Sequence, residues 1–241
     1  MAKHSFVWSS ERLKKQGISM DRFKKRLPQL DWEIKTGLVN PVIAPFKVAI
    51  LGEPTVGKKT LAYRFERISD DDVIEAVPPR RTEVYNVSHV VNTPGGKRPL
   101  SVNIRIDIYD IRDTAFVHYL LFNCEVYFGC ALVFCCENKG HWRWIRAFFE
   151  DAQRQQRRND IRNFPPFLIV GTKSDLREGQ PPNPLFFTEE EGQQFAREYD
   201  TEFFYCSAKF NTNVLPILNR ILELAIWRNT IGEFEVLSAF F

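Results

Sequence analysis

No apolar stretch in this 241-residue chain approaches the ~20 residues that a membrane-spanning helix requires, so a transmembrane role is excluded. The N-terminus lacks the layout of a secretory signal, and the C-terminal EVLSAFF has no cysteine to carry a prenyl group. Neither export nor a prenyl anchor is expected. Cysteine is sparse. Cys124, Cys130, Cys135, Cys136 and Cys206 fall mostly inside apolar runs and have no disulfide-framework spacing, which predicts buried, reduced thiols in an intracellular, cytoplasmic protein. An excess of one charge is also lacking. A net charge of +3 gives no reason to expect a nucleic-acid partner. The charge is nevertheless uneven: residues 1–46 hold nine Lys/Arg against four acids, which leaves the remainder slightly acidic.

What is present is the composition of a globular protein, 44% apolar and 26% charged, long enough for one domain with an appendage. Short continuous apolar runs recur at Val48–Leu51, Cys130–Cys136, Phe167–Val170 and Phe203–Cys206, separated by stretches of helical period. Such runs are strands buried on both faces of a parallel sheet. The segment Leu100–Tyr109 differs, alternating apolar and polar residues, and it follows the β-branched segment Glu83–Val91 across an Asn-Thr-Pro-Gly-Gly turn. This pair predicts an antiparallel hairpin at the sheet edge with one solvated face. Helices are expected at Lys58–Ile68, Asp113–Cys124, His141–Arg158, Glu189–Tyr199 and Val214–Arg228, in the order β-α-ββ-α-β-α-β-α-β-α. The fold class is therefore α/β, with a mostly parallel six-stranded sheet, one antiparallel edge strand, and helices on both faces.

Residues 46–60, FKVAILGEPTVGKKT, pass from a strand through a glycine-bounded loop into a helix. Gly52, four residues, then Gly57 and Lys58 form a phosphate-binding P-loop pattern. Its backbone N–H groups turn inward, and its lysine reaches the terminal phosphates. Thr55, Val56 and Thr60 belong to the same candidate cradle. The pattern next requires Ser or Thr as a Mg²⁺ ligand, and Lys59 stands there. If Lys59 turns inward it pairs with phosphate in place of the metal. If it faces solvent, the site is simply weakened.

Further motifs follow later strands: Thr172-Lys173-Ser174-Asp175, then Ser207-Ala208-Lys209, with Asp110 closing the edge hairpin. With these in order, residues 46–230 resemble a Ras-superfamily small GTPase, nearest to the Rab and Rho branches. The resemblance implies a P-loop NTPase G domain that binds GTP or GDP. It assigns Asp175 to the guanine donors, Lys173 to the base face, and the Ala208 N–H to the guanine oxygen, with Thr172, Ser207 and Lys209 completing the two motifs. It also implies Asp110 and Thr82 as candidate groups around Mg²⁺.

The chain departs from the family where catalysis resides. Asp113 and Thr114 stand in place of the switch glycine and the glutamine that orients water. Pro54 occupies a P-loop place where small GTPases usually have glycine. The combined loss of metal ligand, glycine and glutamine points to a pseudo-GTPase acting as an interaction or structural subunit. An active switch completed by a partner and a nucleotide-free structural module are the alternatives.

Residues 1–45 form a basic extension in which Met20, Phe23, Leu27, Leu30 and Ile34 recur at helical spacing, interrupted by Pro28. It is expected to dock on a protein partner, to direct the chain to mitochondria, or to fold back on the domain. In the Trp142–Phe149 helix, Trp142/Ile145/Phe149 and Trp144/Phe148 are expected on different sides, one set facing the sheet and the other offering a partner anchor or lying under the extension or tail. The tail, 231–241, is apolar and should pack.

Overall fold

The computed structural model describes residues 46–79, 84–92, 99–111, 127, 129–159, 167–177, 183, 186–199 and 201–224. The extension 1–45, Arg80, Arg81, Thr82, Asp113, Thr114, the helix expected at Asp113–Cys124 and the tail lie outside the described residues.

Six strands form one sheet: β1 (Phe46–Gly52), β2 (Val84–Asn92), β3 (Pro99–Asp110), β4 (Gly129–Cys135), β5 (Phe167–Thr172) and β6 (Glu202–Tyr205). Their spatial order is β2-β3-β1-β4-β5-β6, and every pairing is parallel except β2 with β3. The helices are α1 (Lys58–Glu66), α2 (Trp142–Asn159), α3 (Glu189–Glu198) and α4 (residues 214–224). Each expected strand and each described helix is present, with ends displaced by a few residues.

The period-2 side-chain alternation of each strand divides the core in two. Phe46, Val48 and Ile50 of β1 join Ala131 and Val133 of β4, Leu168 and Val170 of β5, and the apolar stripes of α1 and α4. Ala49 and Leu51, with Leu132, Phe134 and Ile169, face the opposite way onto α2 and α3. That second layer is built from aromatic rings. Phe134 meets Phe187 edge-on at 4.8 Å and Trp142 at 5.2 Å, while Phe195 stacks on Tyr199 at 4.2 Å. Each such pair contributes roughly 0.5–1.5 kcal/mol beyond burial. A reciprocal capping box opens α3: Thr188 Oγ1 accepts from the Glu191 N–H, and Glu191 accepts from the Thr188 N–H.

Two expectations require correction. On α2, Ile145, Phe148 and Phe149 are all buried, and Trp142 and Trp144 are half-buried against the same layer. At 3.6 residues per turn these five positions span one continuous arc of about 160° rather than two opposed sides, so sheet and α3 cover them together. The helix therefore presents no exposed aromatic anchor. In the edge hairpin, Tyr85 and Val87 are buried while Asn86 and Ser88 are exposed, as alternation predicts. The second face of β3, however, is not solvated throughout. Asp107 is buried there, accepting from Tyr127 Oη at 3.2 Å and pairing with Arg105 Nε at 2.9 Å.

Candidate functional site

β1 lies where the strand order reverses, with β3 on one side and β4 on the other, and the C-terminal ends of these strands form the crevice at which open α/β sheets bind ligands. The loop after β1 is shaped by two glycines. A Cβ on Gly52 would lie 2.3 Å from the Val133 carbonyl oxygen, so only glycine lets β1 run this close to β4. Gly57 has φ +96° and caps α1 without a side-chain hydrogen bond. The first-turn N–H groups of α1 thus have no side-chain cap at the helix start, the arrangement that favours an anion. Thr55 is also left-handed, at φ 67°.

Lys58 is the charged centre of this loop and is only 4% exposed. Its Nζ donates to the Gly52 carbonyl at 3.0 Å and the Glu53 carbonyl at 2.5 Å, and it pairs with Asp110 Oδ1 at 2.6 Å. The parallel register of β1 and β3 sets Asp110 directly beside Gly52, which explains the contact. A buried ammonium requires such partners. Lys59, on the same helical turn, is exposed, and Thr60 is half-buried. Beyond the loop, His141 Nε2 approaches Glu53 Oε2 at 3.5 Å.

The two distant motifs meet at the ends of β5 and β6. Ser207 Oγ donates to Asp175 Oδ1 at 2.6 Å and accepts from the Phe210 N–H at 3.3 Å, so one motif orients the carboxylate of the other. Lys173 takes a left-handed φ of 59° and starts the short 3-10 turn Ser174–Leu176 that carries Asp175. Thr172 faces away from that turn. Its buried hydroxyl lies against the carbonyls of Val56 and Phe134 and ties the P-loop to β5 and β4. Val56 is itself fully buried. Gly52, Thr55, Val56, Gly57, Lys58, Lys59 and Thr60 are thus gathered on one loop and the helix that follows it. Thr172, Lys173, Asp175, Ser207, Ala208 and Lys209 form a second group at the neighbouring strand ends.

One residue absent from the sequence-based site joins these groups. Arg64 of α1 is 1% exposed, and the acceptors its guanidinium meets among the described residues are backbone carbonyls. It donates to four backbone carbonyls: Ala208 at 2.9 Å, Lys209 at 3.0 Å, Asp70 at 2.8 Å and Asp72 at 2.6 Å. Burial pushes its pKa below the usual value, with the nearby Asp70 acting in the opposite direction. Asn211 Nδ2 reinforces the link by donating to Ile68 O and Asp70 O, each at 3.2 Å. The signal was present in the sequence: Arg64 interrupts the apolar spacing Leu61, Phe65, Ile68.

Fit to a divalent cation can be judged from the same residues. The place after Lys58 needs an oxygen ligand, and an ammonium offers donors alone. Asp110 is already the counter-ion of Lys58. The place after Lys58 thus lacks the oxygen donor that a P-loop Mg²⁺ site takes from it.

Comparison with known proteins gives a consistent assignment. The family model described as Ras, Ras family, matches residues 47–226. The human GTP-binding protein RAD is 27% identical over 204 residues, covering 81% of this chain and 59% of RAD, so the chain spans well under two thirds of that relative. Mouse Ras-related protein Rab-17 is 25% identical, with 76% of each chain covered. The Rheb homolog 1 of Caenorhabditis elegans is 23% identical, over 78% of this chain and 83% of its own length.

Proposed function

The chain belongs to the Ras family, and from that premise we propose that it is a guanine-nucleotide-binding module with impaired or absent GTP hydrolysis, serving as an interaction subunit of a larger intracellular assembly. Small GTPases of this family bind GTP and GDP. The observation that carries the nucleotide reading is the Ser207–Asp175 contact of 2.6 Å. It orients a carboxylate just after β5, on the far side of β4 from the β1 end that leads into the P-loop. Two oxygens on Asp175 suit the two adjacent donors of guanine. Adenine would present a lone pair to one of them.

The hydrolysis reading is supported by residue types. Asp113 stands in place of the glycine whose N–H contacts the γ-phosphate, and Thr114 in place of the glutamine that orients water. Within this proposal the G domain runs from 46 to 230, flanked by the extension 1–45 and the tail 231–241. The extension is the attachment element for a protein partner. Among the described residues no helix is long and apolar enough to cross a membrane.

The test is the nucleotide content of natively purified protein, with Asp175→Asn beside it. Removing an acceptor for two base donors, at about 1.5–3 kcal/mol per charge-assisted bond, should lower guanine-nucleotide affinity by about two orders of magnitude or more. Single-turnover hydrolysis should fall below the ~10⁻⁴ s⁻¹ of an unaided family member. Wild-type protein that neither retains nor binds a guanine nucleotide would end the nucleotide reading. Hydrolysis at or above the family rate, alone or with a partner, would replace the pseudo-GTPase by an active switch.

A further inference from the structure

Four large apolar side chains stay well exposed among the described residues: Val73 (45%), Leu176 (41%), Phe210 (49%) and Leu215 (44%). Scattered exposed apolar residues are ordinary, but three of these share one surface. Phe210 lies on the loop after β6, and Leu215 on the first turn of α4 that follows it. Val73 lies on the segment after α1. There the Ile74 N–H donates to the Lys209 carbonyl at 3.0 Å, which sets Val73 beside Phe210. We infer that this surface is a docking patch for the chain's own basic segment, residues 20–27. The inference goes beyond the nucleotide reading and does not need it. Where the extension also attaches to a protein partner, as proposed above, partner and patch compete for it.

Three observations support this occupant. First, the patch is preorganised. Arg64 donates to Asp70 O and Asp72 O on one segment and to Ala208 O and Lys209 O on the other, and Asn211 Nδ2 donates to Ile68 O and Asp70 O. The two loops therefore present one surface that a ligand does not have to order. Second, the charges match. Asp70–Glu75 carries four carboxylates. Arg67 pairs with Asp70 at 2.6 Å and Lys209 with Glu75 at 3.9 Å, and four carboxylates against these two cations leave the exposed rim at −2. Residues 20–27, MDRFKKRL, hold four Lys/Arg against one acid, a net +3, with Met20, Phe23 and Leu27 at helical spacing among them. Apolar anchors within a basic run meet apolar anchors within an acidic rim. Third, the chain can reach. β1 starts at Phe46, at the end of the sheet opposite these loops, and β6 is three strands away. Seven residues of strand and three strand spacings amount to about 25–30 Å. Residues 28–45 between segment and strand extend to about 60 Å at most and average about 23 Å as a flexible chain. Tethering of that length holds the segment at an effective concentration on the order of millimolar, enough for a modest contact to form.

The experiment uses the purified full-length chain with p-benzoyl-phenylalanine in place of Phe210, irradiated and mapped by peptide mass spectrometry. The same probe in place of Glu150, on the exposed face of α2, is the control. Crosslinks within one chain from position 210 to the peptide that contains residues 20–27, above the control, are expected. Asp71→Lys/Asp72→Lys should slow this crosslinking about fivefold, because exposed ion pairs are individually weak. Arg64 bonds to backbone there, so the clasp is untouched by these substitutions. Adding Lys24→Glu/Lys25→Glu/Arg26→Glu to that variant should restore the rate. Crosslinks no more frequent than at the control site, or leading to another part of the chain or to a second copy, would overturn the inference. So would a charge reversal without effect, or one that the swapped extension fails to rescue, in proteins whose urea unfolding midpoints match wild type. No partner and no nucleotide takes part, so the result stands apart from the attachment role and from guanine binding.

Discussion

Arg64→Leu is the perturbation whose consequence can be worked most directly from the structure. The guanidinium makes four hydrogen bonds to backbone carbonyls, from 2.6 to 3.0 Å, and the side chain is 1% exposed. Hydrogen bonds involving a charged group contribute about 1.5–3 kcal/mol each, so four set an upper bound of roughly 6–12 kcal/mol. The actual loss is smaller. Burying the guanidinium has its own cost, visible in its depressed pKa, and carbonyls near the surface can regain water. A buried carbonyl left without its donor costs about 1–3 kcal/mol, and with some of the four regaining water the expected loss of unfolding free energy for Arg64→Leu is about 3–5 kcal/mol. Arg64→Lys retains the charge but loses the planar fork, so it should recover only part of the deficit. The assay is urea unfolding of nucleotide-stripped protein, comparing midpoints at constant slope. Because Arg64 anchors the Ala208–Lys209 backbone, guanine affinity should fall in both variants more than affinity for inorganic phosphate. A loss below about 1 kcal/mol in Arg64→Leu, with base affinity unchanged, would refute the view that this residue clasps the base-side loop to α1.

The remaining predictions concern backbone packing, buried thiols and the extension. Gly52→Ala would set a methyl 2.3 Å from the Val133 carbonyl, and the backbone shift required should destabilise the fold by about 1–3 kcal/mol, read as a lower melting temperature. An unchanged melting temperature would show that β1 and β4 can separate freely. Burial pushes the Cys136 thiol up to about 12 and raises Cys206 and Tyr205 as well. These groups fold neutral, so their contribution is present below about pH 9 and is lost as pH rises through the native values. Stability should decline above about pH 9, and native Cys136 and Cys206 should resist alkylation at pH 8 until the chain unfolds; rapid native labelling, read by peptide mass spectrometry, would contradict their burial. Deleting residues 1–40 should leave nucleotide content unchanged and release the protein from its complex or compartment. Unfolding of the truncated chain would instead make the extension part of the core.

Local spacing carried the P-loop, the strand-end motifs and the order of elements. Gly52, Gly57 and Lys58 lie within seven residues, so their geometry follows from one strand, one turn and one helix start. The strands were legible because the apolar runs of β1, β4 and β5 are buried on both faces, and the edge hairpin because its side chains alternate. Family membership followed from those motifs in order. The sequence alone also determined that a lysine stands at the metal-ligand place. What it could not specify were contacts across the fold. Arg64 reaches Ala208 across 144 residues of chain, and nothing near either residue announces the other. Lys58 meets Asp110 only because β1 pairs in parallel register with β3. The aromatic positions of α2 suggested two sides in one dimension, and the sheet and α3 together enclosed them as one arc. Asp107 looked solvent-facing by alternation until Tyr127 came to lie over it. In each case the deciding interaction joins groups distant in sequence, brought together by chain packing that local propensity does not encode.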